Sequence, residues 1–397
     1  MKKIVIIFLA VFSFINVRAI EFDIKSNQAI LYNMTEDNVL YEKNPDQEVK
    51  IASLTKLMTV YTALTYIEDL DTKVIMIPSI FKGLVEENAS VAGFKTNEEV
   101  TYRDLLYGAM LPSGADATNA LGHYVFGSMD TFIEKMNELA KEIGMNNSVF
   151  TNTTGLDMDG QKSTVNDLLT LLKVALKNDA FKELFTTTRY TTSSGRLTLS
   201  STWKRSIDKN NIDVNIIGGK TGFTHGAGLC LASMSEEEGQ IFLLITTNVM
   251  VKSSADPLHI KDARTVYNKL FREFNMHTVI SENEVIKSLP IRYGETETYN
   301  VVIPDEVNLY MSDNSEVTYN YVGIAELSSK NKLGDKIGSY EIYVDGDLRK
   351  TVDIILDQDI KLSFTSFMSA NWHIVFGTFF MVVSIMVIVK LRKRRLN

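Results

Sequence analysis

The chain has little that could tie it together covalently or through a metal. It holds one cysteine, Cys230, in 397 residues. That excludes an internal disulfide and any cysteine-built metal centre. Five histidines, at positions 123, 225, 259, 277 and 373, follow no ligand spacing. No HExxH, GxSxG or GxGxxG run occurs, so nothing indicates a helical zinc site, a nucleophile elbow or a dinucleotide cradle. Gly219-Lys220-Thr221 imitates the end of a phosphate loop, but the Gly required five residues before Gly219 is Val214. No metal and no cofactor is therefore expected. Six prolines and 22 glycines are too few for a collagenous or low-complexity chain, and 45% hydrophobic residues are too many for a disordered one.

Positive charge is scarce in the middle of the chain. Lys2, Lys3 and Arg18 stand near one end, and Lys390, Arg392, Lys393, Arg394 and Arg395 at the other, with no acid among either group. The rest holds 33 Lys and Arg against 49 Asp and Glu, a net charge of −16. A body that acidic argues against a nucleic-acid partner, which requires a basic face.

The two ends read as export and anchorage. Residues 1–19 have a charged start, an apolar stretch from Ile4 to Phe14 and small residues at Val17 and Ala19, the pattern of a signal peptide cleaved after Ala19. Residues 371–390 hold a long uncharged run opened by Trp372, enough for one transmembrane helix. The basic tail at 391–397 follows at once, and the positive-inside rule keeps it cytoplasmic. The bulk of the chain is then expected outside a cell membrane, tethered by its C-terminus.

Between these ends two domains are expected. Residues 20–275 mix strand and helix patterns. Hairpins are read at 29–41 and 228–248, and helices at 53–67, 102–110, 116–126, 131–143, 164–176 and 257–274. Strands near both ends with helices between them predict an antiparallel sheet packed with helices, an α/β (α+β) domain. Residues 276–366 alternate polar and apolar residues between turns such as Asp345-Gly346-Asp347, the mark of a small all-β domain. Residues 356–370 read as a spacer to the membrane.

Three short motifs carry chemistry. Ser53-Leu54-Thr55-Lys56 opens a helical pattern, which sets the hydroxyl and the amine one turn apart on one face. A neutral Lys56 can then act as base toward Ser53 as nucleophile. Ser113-Gly114-Ala115 lies between two helical patterns and offers a second hydroxyl. Lys220-Thr221-Gly222 precedes an apolar strand and supplies a cation, a hydroxyl donor and room for a ligand to approach the backbone. Singly these are an N-cap serine beside a solvated lysine, a helix cap, and a turn. Their order and spacing together are not ordinary.

Ser-x-x-Lys, Ser-Gly-x and Lys-Thr-Gly in that order resemble the signature of the penicillin-recognising serine acyl-transferases. The flanks sharpen the likeness: Ala52-Ser53-Leu54-Thr55-Lys56-Leu57-Met58-Thr59, Asp104-Leu105-Leu106-Tyr107-Gly108, Thr154-Gly155-Leu156-Asp157, and Gly219-Lys220-Thr221-Gly222-Phe223-Thr224 before Ala227-Gly228. Over residues 25–275 the chain resembles the low-molecular-weight penicillin-binding proteins, serine-type D-alanyl-D-alanine carboxypeptidases of the bacterial cell wall. The β segment and C-terminal anchor also resemble that layout. The likeness implies a serine β-lactamase/penicillin-binding-protein-like fold. It implies a substrate that is a peptidoglycan stem peptide ending in D-Ala-D-Ala, and β-lactams as covalent inhibitors. It also implies Ser53 as nucleophile, Lys56 as base and Ser113 as proton relay. Lys220 and Thr221 would hold the substrate carboxylate, and the backbone N–H groups of Ser53 and Phe223 the oxyanion. In the family the third residue of Ser-Gly-x is usually Asn and contacts the substrate amide; here it is Ala115. Arg196 and Arg205 are both candidates for a further carboxylate clamp. A β-lactamase, a D,D-endopeptidase and a wall-binding relative without activity are the competing readings.

Overall fold

A computed structural model describes residues 21–251 and 255–394. The expected signal peptide lies outside the described residues, as does the tail from residue 395. The chain folds as two compact units that meet in sequence at Asn275 and Met276.

The first unit is built on a five-stranded antiparallel sheet. Its strands are β1 (Gln28–Asn33), β2 (Asn38–Lys43), β7 (Gly218–Thr224), β8 (Gly228–Glu237) and β9 (Gln240–Val249), ordered β2-β1-β9-β8-β7. The first hairpin and the last three strands meet because β1 pairs with β9, Ile30 opposite Ile245 and Leu31 opposite Leu244. β1 and most of β8 and β9 are buried and apolar, as a sheet covered on both faces requires. Two short antiparallel pairs, β3 (Lys73–Ile75) with β4 (Glu99–Thr101) and β5 (Arg189–Thr191) with β6 (Thr198–Ser200), stand apart from it.

Among the described residues eight α-helices surround the sheet: α1 (Thr55–Tyr66), α2 (Tyr102–Met110), α3 (Ala115–Tyr124), α4 (Met129–Glu142), α5 (Val165–Ala175), α6 (Asp179–Thr186), α7 (Thr202–Asn210) and α8 (Leu258–Glu273). Side chains fix several starts. Thr101 and Asp104 form a capping box on α2, and Ser128, Thr164 and Asn178 cap α4, α5 and α6. α1 is buried on nearly every side and packs against α2 through α6. Its core residues Leu57, Met58, Val60 and Ala63 are fully enclosed. The 3₁₀ turn Ala52–Leu54, which leads into α1, rests on β7 and β8. The nucleophile candidate therefore sits where the central helix meets the edge of the sheet.

In the second unit β10 (Phe274–Ile280) pairs with β13 (Val307–Ser312), and β11 (Glu284–Pro290) pairs with β12 (Thr298–Ile303). β14 (Val317–Gly323), β15 (Lys336–Val344) and β16 (Asp347–Ile355) form a three-stranded sheet. α9 (Phe364–Ala370) and α10 (Trp372–Arg394) follow. α10 is long and apolar enough over Trp372–Arg392 to cross a bilayer, and none of that span is buried.

Three expectations change. The Lys220-Thr221-Gly222 motif precedes the apolar strand β8 as expected, but it is itself inside a strand, β7, and not in a turn; its glycines hide a strand that pairing with β8 holds. The helix expected from Ser53 is a 3₁₀ turn followed by α1. The spacer at 356–370 is no loose linker: Leu356 and Ile360 are buried in the β core, and α9 sets Phe367 edge-on against Tyr293 with ring centroids 5.1 Å apart.

Candidate active site

Ser53 is half-buried in its 3₁₀ turn, and Lys56 lies in the first turn of α1. The Lys56 Nζ donates to Ser53 Oγ at 3.0 Å and to the carbonyl oxygen of Thr154. Lys56 as a whole is 2% exposed. Burial lowers its pKa from 10.5 to about 7, against the opposing pull of the Asp116 carboxylate. At neutral pH about half of such an amine is free base, which is what a proton acceptor for Ser53 requires.

The backbone around this pair is held in costly conformations. Ala52 has φ +48° and Ser113 φ +65°, the left-handed region that side chains avoid. Such strain persists only where neighbours fix it. One neighbour is Gly155, with φ +81°: a Cβ there would lie 1.9 Å from the Ala52 carbonyl oxygen. Another is Gly222, where a Cβ would lie 2.9 Å from the Ser53 nitrogen. Both glycines let a backbone segment close on the nucleophile turn.

The loop carrying Thr154 is pinned to α1. Asn152 Oδ1 accepts from the N–H groups of Thr154 and Gly155 at 3.0 and 2.7 Å, and Thr59 Oγ1 donates to the Thr153 carbonyl at 2.8 Å. Asp157 then accepts from Thr224 Oγ1 at 2.9 Å and Gly226 N at 3.0 Å, tying the same loop to the end of β7.

Ser113 stands in the turn between α2 and α3, 4% exposed. Its Oγ accepts from Lys220 Nζ at 2.8 Å, and Lys220 also donates to the Thr221 carbonyl at 2.9 Å. Lys220 is fully buried, and burial together with the nearby Lys56 holds its pKa well below the ordinary value. Two buried amines thus compete for protons in one site. Asp116, one residue past Ala115, accepts from the N–H groups of Ala92, Gly93, Phe94 and Ala117 and fastens the 90–94 segment to the Ser113 turn. Burial raises its pKa in spite of these bonds.

The residues of the three motifs therefore meet between the start of α1 and the middle of β7: Ser53 with Lys56, Ser113 with Lys220, and Thr221 and Gly222 on the edge strand, Gly222 against the Ser53 nitrogen. Phe223 is half-buried on the same strand, its ring edge-on to exposed His225. Ala115 is buried and brings no polar group; the Thr154 carbonyl is instead the second acceptor for Lys56. Arg196 is engaged by Glu98 at 2.8 Å and by the Gly93 carbonyl at 2.9 Å. Arg205 is exposed on α7. Sequence reasoning missed the Thr154 carbonyl and Thr202, whose Oγ1 lies 2.6 Å from Thr221 Oγ1. Neither follows a spacing rule; only the fold brings them in.

Comparison with known proteins adds the following. Residues 15–264 match the family model described as D-alanyl-D-alanine carboxypeptidase, and residues 274–362 match penicillin-binding protein 5, C-terminal domain. The carboxypeptidase DacF of Bacillus subtilis (strain 168) is 25% identical over 349 residues, covering 85% of this chain and 86% of the relative. A D-alanyl-D-alanine carboxypeptidase of Streptomyces sp. (strain K15) is 30% identical over 240 residues, covering 58% of this chain and 81% of the relative. The solved structure of the D-alanyl-D-alanine carboxypeptidase DacD from Francisella tularensis matches with a TM-score of 0.66 at 20% identity, covering 88% of this chain and 96% of that one; at this identity the match concerns the fold alone.

Proposed function

The chain belongs to the D-alanyl-D-alanine carboxypeptidase family, and from that premise we propose how its own residues carry the reaction. It is a serine-type D-Ala-D-Ala carboxypeptidase with a penicillin-binding-protein fold, a C-terminal β domain and a C-terminal apolar helix that associates it with a membrane.

In the proposed reaction Ser53 attacks the carbonyl carbon of the penultimate D-Ala of a peptidoglycan stem peptide. Its proton passes to neutral Lys56. The C–N bond to the terminal D-Ala breaks, and that amine leaves with a proton returned from Lys56 through Ser113. Water then hydrolyses the Ser53 ester and restores the hydroxyl. Lys220 and Thr221 meet the terminal carboxylate, Gly222 gives the backbone room to approach, and the N–H groups of Ser53 and Phe223 bind the oxyanion. One such donor is commonly worth about 10²–10³ in rate. β-Lactams would acylate the same Ser53. The run of basic residues Lys390, Arg392, Lys393, Arg394 and Arg395, at the C-terminal side of the apolar span, supports a membrane orientation with the catalytic unit on the extracytoplasmic side.

The observation that carries this reading is the Lys56 amine, buried, 3.0 Å from Ser53 Oγ and with its pKa near neutrality. The test incubates the full chain in detergent with a pentapeptide ending in D-Ala-D-Ala and measures free D-Ala. Wild type should release D-Ala and Ser53→Ala should not. Equal release by both would remove Ser53 from the reaction.

A further inference from the structure

The proposed role of Thr221 demands something of its neighbour. A threonine hydroxyl has one proton to donate and two lone pairs that accept. A carboxylate only accepts. If Thr221 gives its proton to the terminal carboxylate of a substrate, the 2.6 Å contact between Thr221 Oγ1 and Thr202 Oγ1 must be donated by Thr202. We propose that Thr202 is a positioning residue, which spends its own proton on Thr221 and so aims the Thr221 proton at the substrate carboxylate. The inference rests on the reading of Thr221 given above.

The surroundings of Thr202 fit the task. It is the first residue of α7, and that helix packs on β7, an edge strand of the sheet. Its backbone N–H donates to the Leu111 carbonyl at 3.1 Å, two residues before Ser113. Ser113 in turn holds the Lys220 amine at 2.8 Å. One residue therefore braces the Ser113 turn with its backbone and the Lys220-Thr221 strand with its side chain. The donated bond also polarises the Thr221 O–H, because hydrogen bonds in series strengthen one another. Of the two arginines that sequence offered as clamps, Arg196 is tied to Glu98 and to the Gly93 carbonyl, and the Arg205 side chain is exposed on α7, the helix that Thr202 opens.

The test compares two peptides on the full chain in detergent. One ends in D-Ala-D-Ala with a free carboxylate; the other is the same peptide with that carboxylate converted to an amide. Thr202→Val keeps the branched shape and loses the proton. It should raise KM for the carboxylate peptide about fivefold, which is about 1 kcal/mol, with kcat within about twofold. It should leave KM for the amide peptide unchanged, and Thr202→Ser should restore the wild-type values. If Thr202→Val fails to fold, Thr202→Ala is measured in its place against the same split. The inference is overturned if KM for the carboxylate peptide does not move. It is equally overturned if both peptides suffer alike, or if kcat falls and Ser does not rescue it, since those results describe a mere brace. A wild-type chain that releases no D-Ala overturns the reading of the whole site instead.

Discussion

The rate at which Ser53 is acylated should follow the ionisation of Lys56. The ordinary lysine pKa is 10.5, and burial brings this one to about 7 even with Asp116 pulling the other way. With a pKa near 7 the free amine makes up about half of the population at pH 7, about a tenth at pH 6 and about a hundredth at pH 5. A solvated lysine at pH 7 would be free in only about three molecules in ten thousand. Burial thus increases the available base by about a thousandfold, part of which is lost again because a weaker base takes the proton less eagerly. The perturbation is pH alone. The assay is the second-order rate of covalent labelling by a fluorescent penicillin, quenched at short times and read on a denaturing gel. Between about pH 5 and about pH 6 the rate should rise close to tenfold, and above about pH 8 it should level off. Lys56→Arg, charged at every accessible pH, should lose labelling at all of them. A flat profile for the wild type, or a limb centred near pH 10, would refute the claim that this buried amine is the base.

The same burial has a stability signature. Between about pH 7 and about pH 10.5 the unfolded chain holds a proton on Lys56 that the folded chain does not, so stability rises with pH across that window, by up to about 5 kcal/mol for a shift of this size. Thermal melts at about pH 7 and about pH 9 should show a smaller rise for Lys56→Met than for wild type. Gly222→Ala should cut labelling on the order of 100-fold without unfolding the chain, because its Cβ would stand 2.9 Å from the Ser53 nitrogen; wild-type labelling rates would show that the strand gives way freely. Asp104→Ala should act on stability alone. Its carboxylate accepts from Thr101 N, from Ser193 N and Oγ, and from the Tyr190 hydroxyl, whose ring stacks on Tyr107 at 3.8 Å. Stranding those donors should cost about 2–4 kcal/mol in denaturant unfolding, while penicillin titration per folded molecule stays unchanged.

Sequence by itself determined which residues could react and what kind of elements carry them. Ser53 and Lys56 are three apart, and any helical turn puts them within reach of each other. The alternation after residue 276 and the long apolar run opened by Trp372 likewise state their structure locally, because strand and span are properties of a short window. The hairpins at 28–43 and 228–249 are legible for the same reason. What no window contains is the meeting of β1 with β9, more than 200 residues apart, or the burial that follows from it. The pKa of Lys56 is such a consequence: desolvation depends on every helix that surrounds α1. So is the pairing of Ser113 with Lys220, 107 residues apart, and of Thr202 with Thr221 across a helix and a strand. Lys220-Thr221-Gly222 shows the limit most plainly. Its composition reads as a turn, and only the register against β8 makes it a strand whose edge faces the nucleophile. Covalent order supplied the reagents; long-range packing set their distances and stripped away the water that would have kept the amine charged.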